Sequence, residues 1–272
     1  MNAIQISPTV KDIVKTKGVL RFQQDQKLSE VLSSLVSSHD AAFVFNSEEF
    51  VGVCSQIYLT KTRSVNSTSK LKSCVKMPPK IAPENNFKEL AIQMIESRIY
   101  FLPVVAKDGQ FLGIVTINRL FSYLLKHPNL LNSGHIVVSN RQLITINQDV
   151  SVSQALKLMH EYRIAKLPVI NSNGVLVGVL SNYDLKNTLT LPNSAGPQDR
   201  SGERKKNKGK TVKFYMKQMP ITLNHVPMFV EAVEIMNQNE VGSIIITDKN
   251  NKPMGIITKK DLLQTIITLP KL

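Results

Sequence analysis

Ser181 and Asp184, and again Thr258 and Asp261, set a hydroxyl three residues ahead of a carboxylate, and each hydroxyl follows a glycine, Gly178 or Gly255, by three residues. Where such a hydroxyl opens a helix, the carboxylate lies about one turn on and faces the same cleft. Unpaired N–H groups and the helix dipole at that point favour an anion. A carboxylate accepts both hydroxyl hydrogens of a ribose cis-diol in a charge-assisted arrangement. The glycine permits close approach of a ligand to the strand backbone. A hydroxyl beside phosphate and a carboxylate beside ribose together describe a nucleotide. The same residues also spell a helix cap with reciprocal bonds. The two roles coexist, because a cap and a ligand compete for only some of the N–H groups.

Catalytic machinery is not visible. The five histidines, His39, His127, His135, His160 and His225, are scattered, with no HExxH spacing. No GxSxG elbow and no Walker-type loop occurs. His160 lies beside Met159 and reads as a boundary residue of a helix. The chain is therefore expected not to be an enzyme, and to need neither a metal nor a cofactor.

The elements that would position these residues are written four times. Leu28, Val31, Leu32 and Leu35 fall at i, i+3, i+4 and i+7, as do Phe87, Leu90, Ala91 and Met94, then Val152, Ala155, Leu156 and Met159, then Phe229, Ala232, Val233 and Met236. Each set is one apolar helix face. Nine residues beyond each set lies the middle of an apolar run, at Val44, Pro103, Pro168 and Ile245, which reads as a buried strand. A turn follows, then a second strand with a glycine (Gly52, Gly113, Gly178, Gly255), and three residues later a hydroxyl (Ser55, Thr116, Ser181, Thr258). Short strands such as Leu143 to Ile146 and Ile221 to Leu223 precede the helices. The order is strand, helix, strand, strand, helix, and the chain is an internal repeat.

Arg163 to Leu185 (RIAKLPVINSNGVLVGVLSNYDL) resembles the core of a CBS domain, and Asn239 to Leu263 is a second match. Arg98 to Leu120 matches with one departure, and Ala41 to Ile57 is the weakest copy. The resemblance implies an α+β fold of four CBS-type β-α-β-β-α repeats, paired into two Bateman modules. Such modules stack into a disc in regulatory γ subunits of AMP-activated kinase, and stand-alone prokaryotic CBS proteins are similar. The expected boundaries are 1–66, 71–131, 136–191 and 212–272, with a basic loop at 192–211 between the third and fourth copies.

The resemblance also implies residues around an adenine: Thr145, Ile164, Ala165 and Val179 in the third copy, and Thr222, Val241, Gly242 and Ile256 in the fourth. Lys166 falls where related γ-type chains carry a phosphate-binding base, beside Ser181 and Asp184. Ser243 holds that position in the fourth copy, beside Thr258 and Asp261, and cannot neutralise phosphate; Lys259 or Lys260 is the substitute, with Lys260 also able to point to solvent. The expected ligand is AMP, ADP or ATP, and S-adenosylmethionine offers the same adenine and ribose diol. Binding would bias the arrangement of a pair and signal to a separate effector protein.

The first two copies depart from this. Arg119 and Tyr58 stand where Asp184 and Asp261 stand, and a guanidinium carries only donors. Phe101 and Ala42 take the Lys166 position. This half is expected to be structural, with Arg119 either solvated or reaching a phosphate on a neighbouring copy's ligand.

The glycines are spaced 61, 65 and then 77 residues apart, and the extra length is polar. Arg200, Arg204, Lys205, Lys206, Lys208 and Lys210 make it the densest basic cluster of a chain with net charge +14. It reads as a linker, or as a contact for an acidic partner or nucleic acid. No aromatic residues interleave the lysines as a stacking platform. No apolar stretch spans a bilayer, the N-terminus lacks a signal-peptide pattern, and Cys54 and Cys74 form no CxxC pair. A cytoplasmic, reduced chain is expected, as a monomeric disc or a homodimer.

Overall fold

The computed structural model describes residues 7–32, 41–55, 68–131, 135–137, 142–182, 184–185 and 211–272. Tyr58 and the basic stretch 192–210 lie outside them. The fold is α+β. Copy one contains β1 (Arg21–Gln23), α1 (Leu28–Leu32), β2 (Ala41–Asn46) and β3 (Glu49–Ser55). Copy two contains α2 (Phe87–Ser97), β4 (Phe101–Val105), β5 (Phe111–Thr116) and α3 (Ile117–Lys126). Its opening strand is reduced to one parallel bridge, Ile81 to Val104. Copy three contains β6 (Ile146–Asn147), α4 (Val152–Glu161), β7 (Lys166–Ile170) and β8 (Leu176–Ser181). After β9 (Lys217–Gln218), copy four contains β10 (Thr222–Leu223), α5 (Phe229–Gln238), β11 (Ser243–Thr247), β12 (Pro253–Thr258) and α6 (Lys259–Thr268).

By compactness the chain divides into two units. The first holds the described residues of 1–137, 228–237 and 260–272, and the second those of 138–227 and 238–259. In the first unit, α2 starts at a capping box: Asn86 Oδ1 accepts from Glu89 N, and Glu89 Oε2 accepts from Asn86 N, both at 2.9 Å. Its expected face, Phe87, Leu90, Ala91 and Met94, is fully buried. Strand β2 is buried on both sides with the period of two that a pleated strand imposes. Ala42 and Val44 join Leu28, Val31 and Cys54 in one cluster, while Ala41, Phe43 and Phe45 join Ile99 and Phe101 in another. In the second unit, Val152, Ala155 and Met159 of α4 pack against Leu167, Val169 and Leu180.

Every hairpin repeats one bulge, at Val44/Phe45, Val104/Val105, Val169/Ile170 and Ile246/Thr247. The bulge leaves the glycine opposite the residue before the shift and ends the second strand on the hydroxyl residue. Lys166 thus stands opposite Ser181, Ser243 opposite Thr258, and Phe101 opposite Thr116. In copy one the partner of Ser55 is Ala41, not the Ala42 expected from spacing. The turn 46–49 between the paired Phe45 and Phe50 is one residue shorter than 106–110 between Val105 and Phe111, which sets Ala41 and Ser55 14 positions apart against 15 for Phe101 and Thr116; Ala42 opposite Ser55 would need a turn shorter by two.

A hexapeptide recurs ahead of three copies: Val10 to Lys15 (VKDIVK), Leu71 to Lys76 (LKSCVK) and Val212 to Lys217 (VKFYMK). Each forms a 3-10 turn and then a strand-like bond to the edge of another hairpin. Lys15 pairs with Ile114, Lys76 with Val53 and Lys217 with Val179, in each case the residue after the hairpin glycine. The glycines make this approach feasible. A Cβ on Gly52 would lie 2.7 Å from Lys76 O, one on Gly178 would lie 2.8 Å from Lys217 O, and one on Gly113 would overlap Lys15 O. The close neighbour of Gly178 is therefore the chain's own β9, which corrects the expectation of a ligand there.

No helix among the described residues is long and apolar enough to cross a membrane.

Candidate functional site

In the second unit, β8 delivers Ser181 to the start of a turn. Asp184 Oδ2 accepts from Ser181 N at 2.7 Å and from Ser181 Oγ at 2.5 Å, while Ser181 Oγ accepts from Asp184 N at 3.3 Å. This is the reciprocal cap that the sequence also allowed. Both side-chain bonds fall on one carboxylate oxygen, and Oδ1 takes neither.

Across the hairpin from Ser181, Lys166 reaches to the fourth copy. Its Nζ donates to Ser243 Oγ at 3.2 Å and lies 3.0 Å from where a Cβ on Gly242 would stand. One lysine therefore serves both copies, at the position where the fourth carries only a hydroxyl. Burial, then the charge of Lys259, pushes the Lys166 ammonium down to about 8; attraction from Asp184 opposes this, and Lys217 adds to it. Lys259 is 7% exposed, and burial lowers its pKa as well. Lys260, the candidate named beside Arg119 as a phosphate contact, is exposed. The first residue of α6 faces inward and the second outward, so Lys259 takes the interior position.

The remaining expected residues are placed as follows. Ile164 packs on the core of the third copy. Ala165 is exposed, and its carbonyl accepts from Asn182 N at 3.0 Å. Thr145 is half-buried just before β6, and Val179 is half-buried on β8. Thr222 is exposed on β10 and pairs with Ile245, which also stands opposite Ile256 on β12. Val241 and Gly242 are half-buried in the turn before β11, and Thr258 ends β12. Lys166, Ser181, Asp184, Gly242, Ser243 and Lys259 are thus drawn together by bonds, register or charge.

Three residues belong to the first unit. Asp261 lies in the first turn of α6, half-buried, and its charge, after burial, raises the Tyr100 hydroxyl. Lys260 is its neighbour in the chain. Arg119 is turned to the N-terminal segment: Nε donates to Ile13 O at 2.5 Å and Nη2 to Val14 O at 3.4 Å.

Sequence reasoning missed the recurring hexapeptides, although three copies of an apolar-Lys-x-x-apolar-Lys pattern were there to be read. It also left Lys259 undecided, because a helix boundary is uncertain by a residue or two and that uncertainty reverses which lysine faces inward.

A family model for the CBS domain matches residues 73–126, 134–190 and 212–268. A CBS domain-containing protein of Dictyostelium discoideum is 31% identical over 128 residues, covering 47% of this chain and 87% of that protein. The human 5'-AMP-activated protein kinase subunit gamma-3 is 23% identical over 228 residues, 79% of this chain and 45% of that subunit, so this chain spans less than half of that relative's length. A solved Methanocaldococcus jannaschii structure, likened to the γ subunit of that kinase, superposes with a TM-score of 0.72 at 16% identity, over 94% of this chain and 99% of that one. The first copy lies outside the matched residues but shows the same strand, helix and hairpin order.

Proposed function

The chain belongs to the CBS-domain family, and from that premise we propose that it is a non-catalytic regulatory sensor of adenine nucleotides. AMP, ADP or ATP is held by the third and fourth copies within the second unit, and its binding is passed to a separate protein. The observation that carries this reading is the pair of ammonium groups on the half-buried Lys166 and the buried Lys259, beside the Ser181 and Asp184 turn. Interior positive charge of this kind is costly, and a phosphate offsets the cost. In the proposed pose the phosphate meets Lys166 and Lys259, and Asp184 Oδ1 takes the ribose. Ile164, Val179 and Ile256 offer apolar contact to the base. The human relative is, by its name, a subunit of an AMP-activated kinase, which is in keeping with this reading.

Calorimetry on the full chain with AMP, ATP and S-adenosylmethionine tests it. Binding of at least one below millimolar concentration is expected, and identification of a co-purified nucleotide by mass spectrometry would strengthen it. If none binds, the reading is wrong. The second reading, an architectural repeat without ligand, is favoured by the completed cap between Ser181 and Asp184.

A further inference from the structure

The chain has two cysteines, and the first unit brings them together. Cys54 lies on β3 beside Val53, and Cys74 closes the 3-10 turn of the hexapeptide Leu71 to Lys76. Val53 and Lys76 bridge the two segments through reciprocal backbone bonds: Val53 N donates to Lys76 O at 2.8 Å, and Lys76 N to Val53 O at 2.9 Å. In an unbroken strand, neighbouring side chains such as those of Cys74 and Val75 point to opposite faces. The backbone of Cys74, at φ −124° and ψ −4°, breaks that alternation, and both residues reach the cluster that holds Cys54. The Cys54 thiol is hydrogen-bonded to Cys74, whose Sγ donates to Leu71 O at 3.3 Å. Paired residues of neighbouring strands stand about 4.5–5.5 Å apart, and a disulfide bridges Cα separations of ~4.4–6.8 Å.

The equivalent places in the next two copies hold no sulfur. Ile13 and Val115 flank the bridge of Lys15 to Ile114, and both are buried. Tyr215 and Leu180 flank the pairing of Lys217 to Val179 and share one cluster. An apolar pair therefore satisfies the packing at this junction, and two facing thiols add a chemistry that packing does not require.

We propose that Cys54 and Cys74 are a reversible disulfide site, oxidised by a low-molecular-weight disulfide, which fastens the segment ahead of copy two to β3 of copy one. The segment is the part that opens. It is held by backbone bonds at Leu71, Lys72 and Lys76 and by the exposed ion pairs of Lys70 and Lys72 with Asp25, and exposed pairs contribute little. Opening of such an edge is local and leaves β3 folded. Cys74 leaves with the segment and is the attacking thiol. The bond from Cys54 holds Cys74 below its ordinary pKa; burial opposes this, and a bond from Ser73 adds to it. The Cys74 sulfur attacks one sulfur of the oxidant, the S–S bond of the oxidant breaks, and the thiolate expelled takes up the Cys74 proton. As the segment closes, the Cys54 sulfur attacks the Cys74 sulfur of the mixed disulfide and expels the second thiolate, which takes up the Cys54 proton. The protein loses two electrons and two protons, and the oxidant leaves as two thiols.

The test incubates the folded, reduced full chain with excess glutathione disulfide. The expected result is loss of both thiols, a mass lower by two hydrogens, and a Cys54–Cys74 linked peptide in a non-reducing digest of a chain that stays single. Dithiothreitol should restore both thiols. The urea midpoint of the oxidised chain should rise, because the cross-link restrains the unfolded state. Cys54→Val and Cys74→Ile install the residues that copy two uses and are expected to fold. Cys54→Val should stop at a glutathione adduct on Cys74, Cys74→Ile should stay unmodified, and the double variant should show no shift of midpoint with oxidant. Persistence of both thiols in the folded chain, linkage between chains in place of linkage within one, an adduct on Cys54 of Cys74→Ile, or a midpoint that does not rise would overturn the proposal.

Discussion

Lys166 and Ser243 are joined at 3.2 Å from Nζ to Oγ, so the ammonium of the third copy stands at the hydroxyl that occupies the same repeat position in the fourth. Under the proposed function Lys166 serves both copies, with Lys259 beside it. Lys166→Met is therefore expected to lower nucleotide affinity by about 1.5–3 kcal/mol, the worth of a charged hydrogen bond. Calorimetry measures this, and a denaturation midpoint equal to or above that of the parent would show that the loss is not unfolding.

Stability should also depend on pH through this residue. The Lys166 pKa is lowered from 10.5 to about 8 by burial and the neighbouring Lys259, against the attraction of Asp184. Between those two values the unfolded chain binds more protons than the folded one, so folding becomes more favourable as pH rises through the window. Below about 8 the cost of the buried charge is constant. Urea denaturation at intervals from pH 7 to 10.5 should show a rise for the parent protein that is smaller in Lys166→Met. Nucleotide affinity should fall over the same interval as the ammonium is lost.

Asp184 distinguishes a cap from a sugar contact. Asp184→Ala removes the bonds to Ser181 N and Oγ and should cost about 1 kcal/mol of stability. Asp184→Asn keeps an acceptor for Ser181 but loses the charged acceptor for a diol. The expected outcome is near-parental melting with nucleotide binding weakened by about 1.5–3 kcal/mol. Unchanged affinity in the Asn variant would assign the carboxylate to capping alone.

Equivalent glycines should respond differently to one added methyl group. At Gly178 a Cβ meets Met216 Sδ at 2.7 Å and Lys217 O at 2.8 Å, whereas at Gly255 its nearest neighbour is Ile246 Cβ at 3.7 Å. Gly178→Ala should cost about 1–3 kcal/mol through overpacking, and hydrogen exchange should show β9 released. Gly255→Ala should fold with near-parental stability.

Cys54 and Cys74 are 0% and 1% exposed in one core cluster. A bond to Cys74 and then burial raise the Cys54 thiol far above its ordinary range. Iodoacetamide at pH 8 should leave Cys54 unmodified in the native protein and label it fully in denaturant, as read by peptide mass spectrometry.

Much of this was legible in the residues. The helix faces at Phe87 to Met94 and Val152 to Met159, and the hairpins that follow them, come from local periodicity, and burial agrees with them. The register of copy one was misjudged by a residue, because the position of an apolar run does not fix which of its residues pairs across the hairpin. The cap between Ser181 and Asp184 was foreseen as an alternative. The role of Gly178 was not, because what approaches it is Lys217, brought back from 39 positions further along the chain. The reach of Lys166 to Ser243 is likewise a product of tertiary placement, which spacing does not encode. The inward choice of Lys259 over Lys260 depended on where α6 begins.

The crossed hexapeptides bear on how far a repeat can be separated from its neighbour. The segment ahead of copy two seals the strand edge of copy one at Val53, and the segment ahead of copy one seals copy two at Ile114. A single copy excised at its sequence borders would therefore carry a flap meant for its sibling and a bare backbone edge of its own, which invites edge-to-edge aggregation. Duplication or transplantation of this architecture has to proceed two copies at a time.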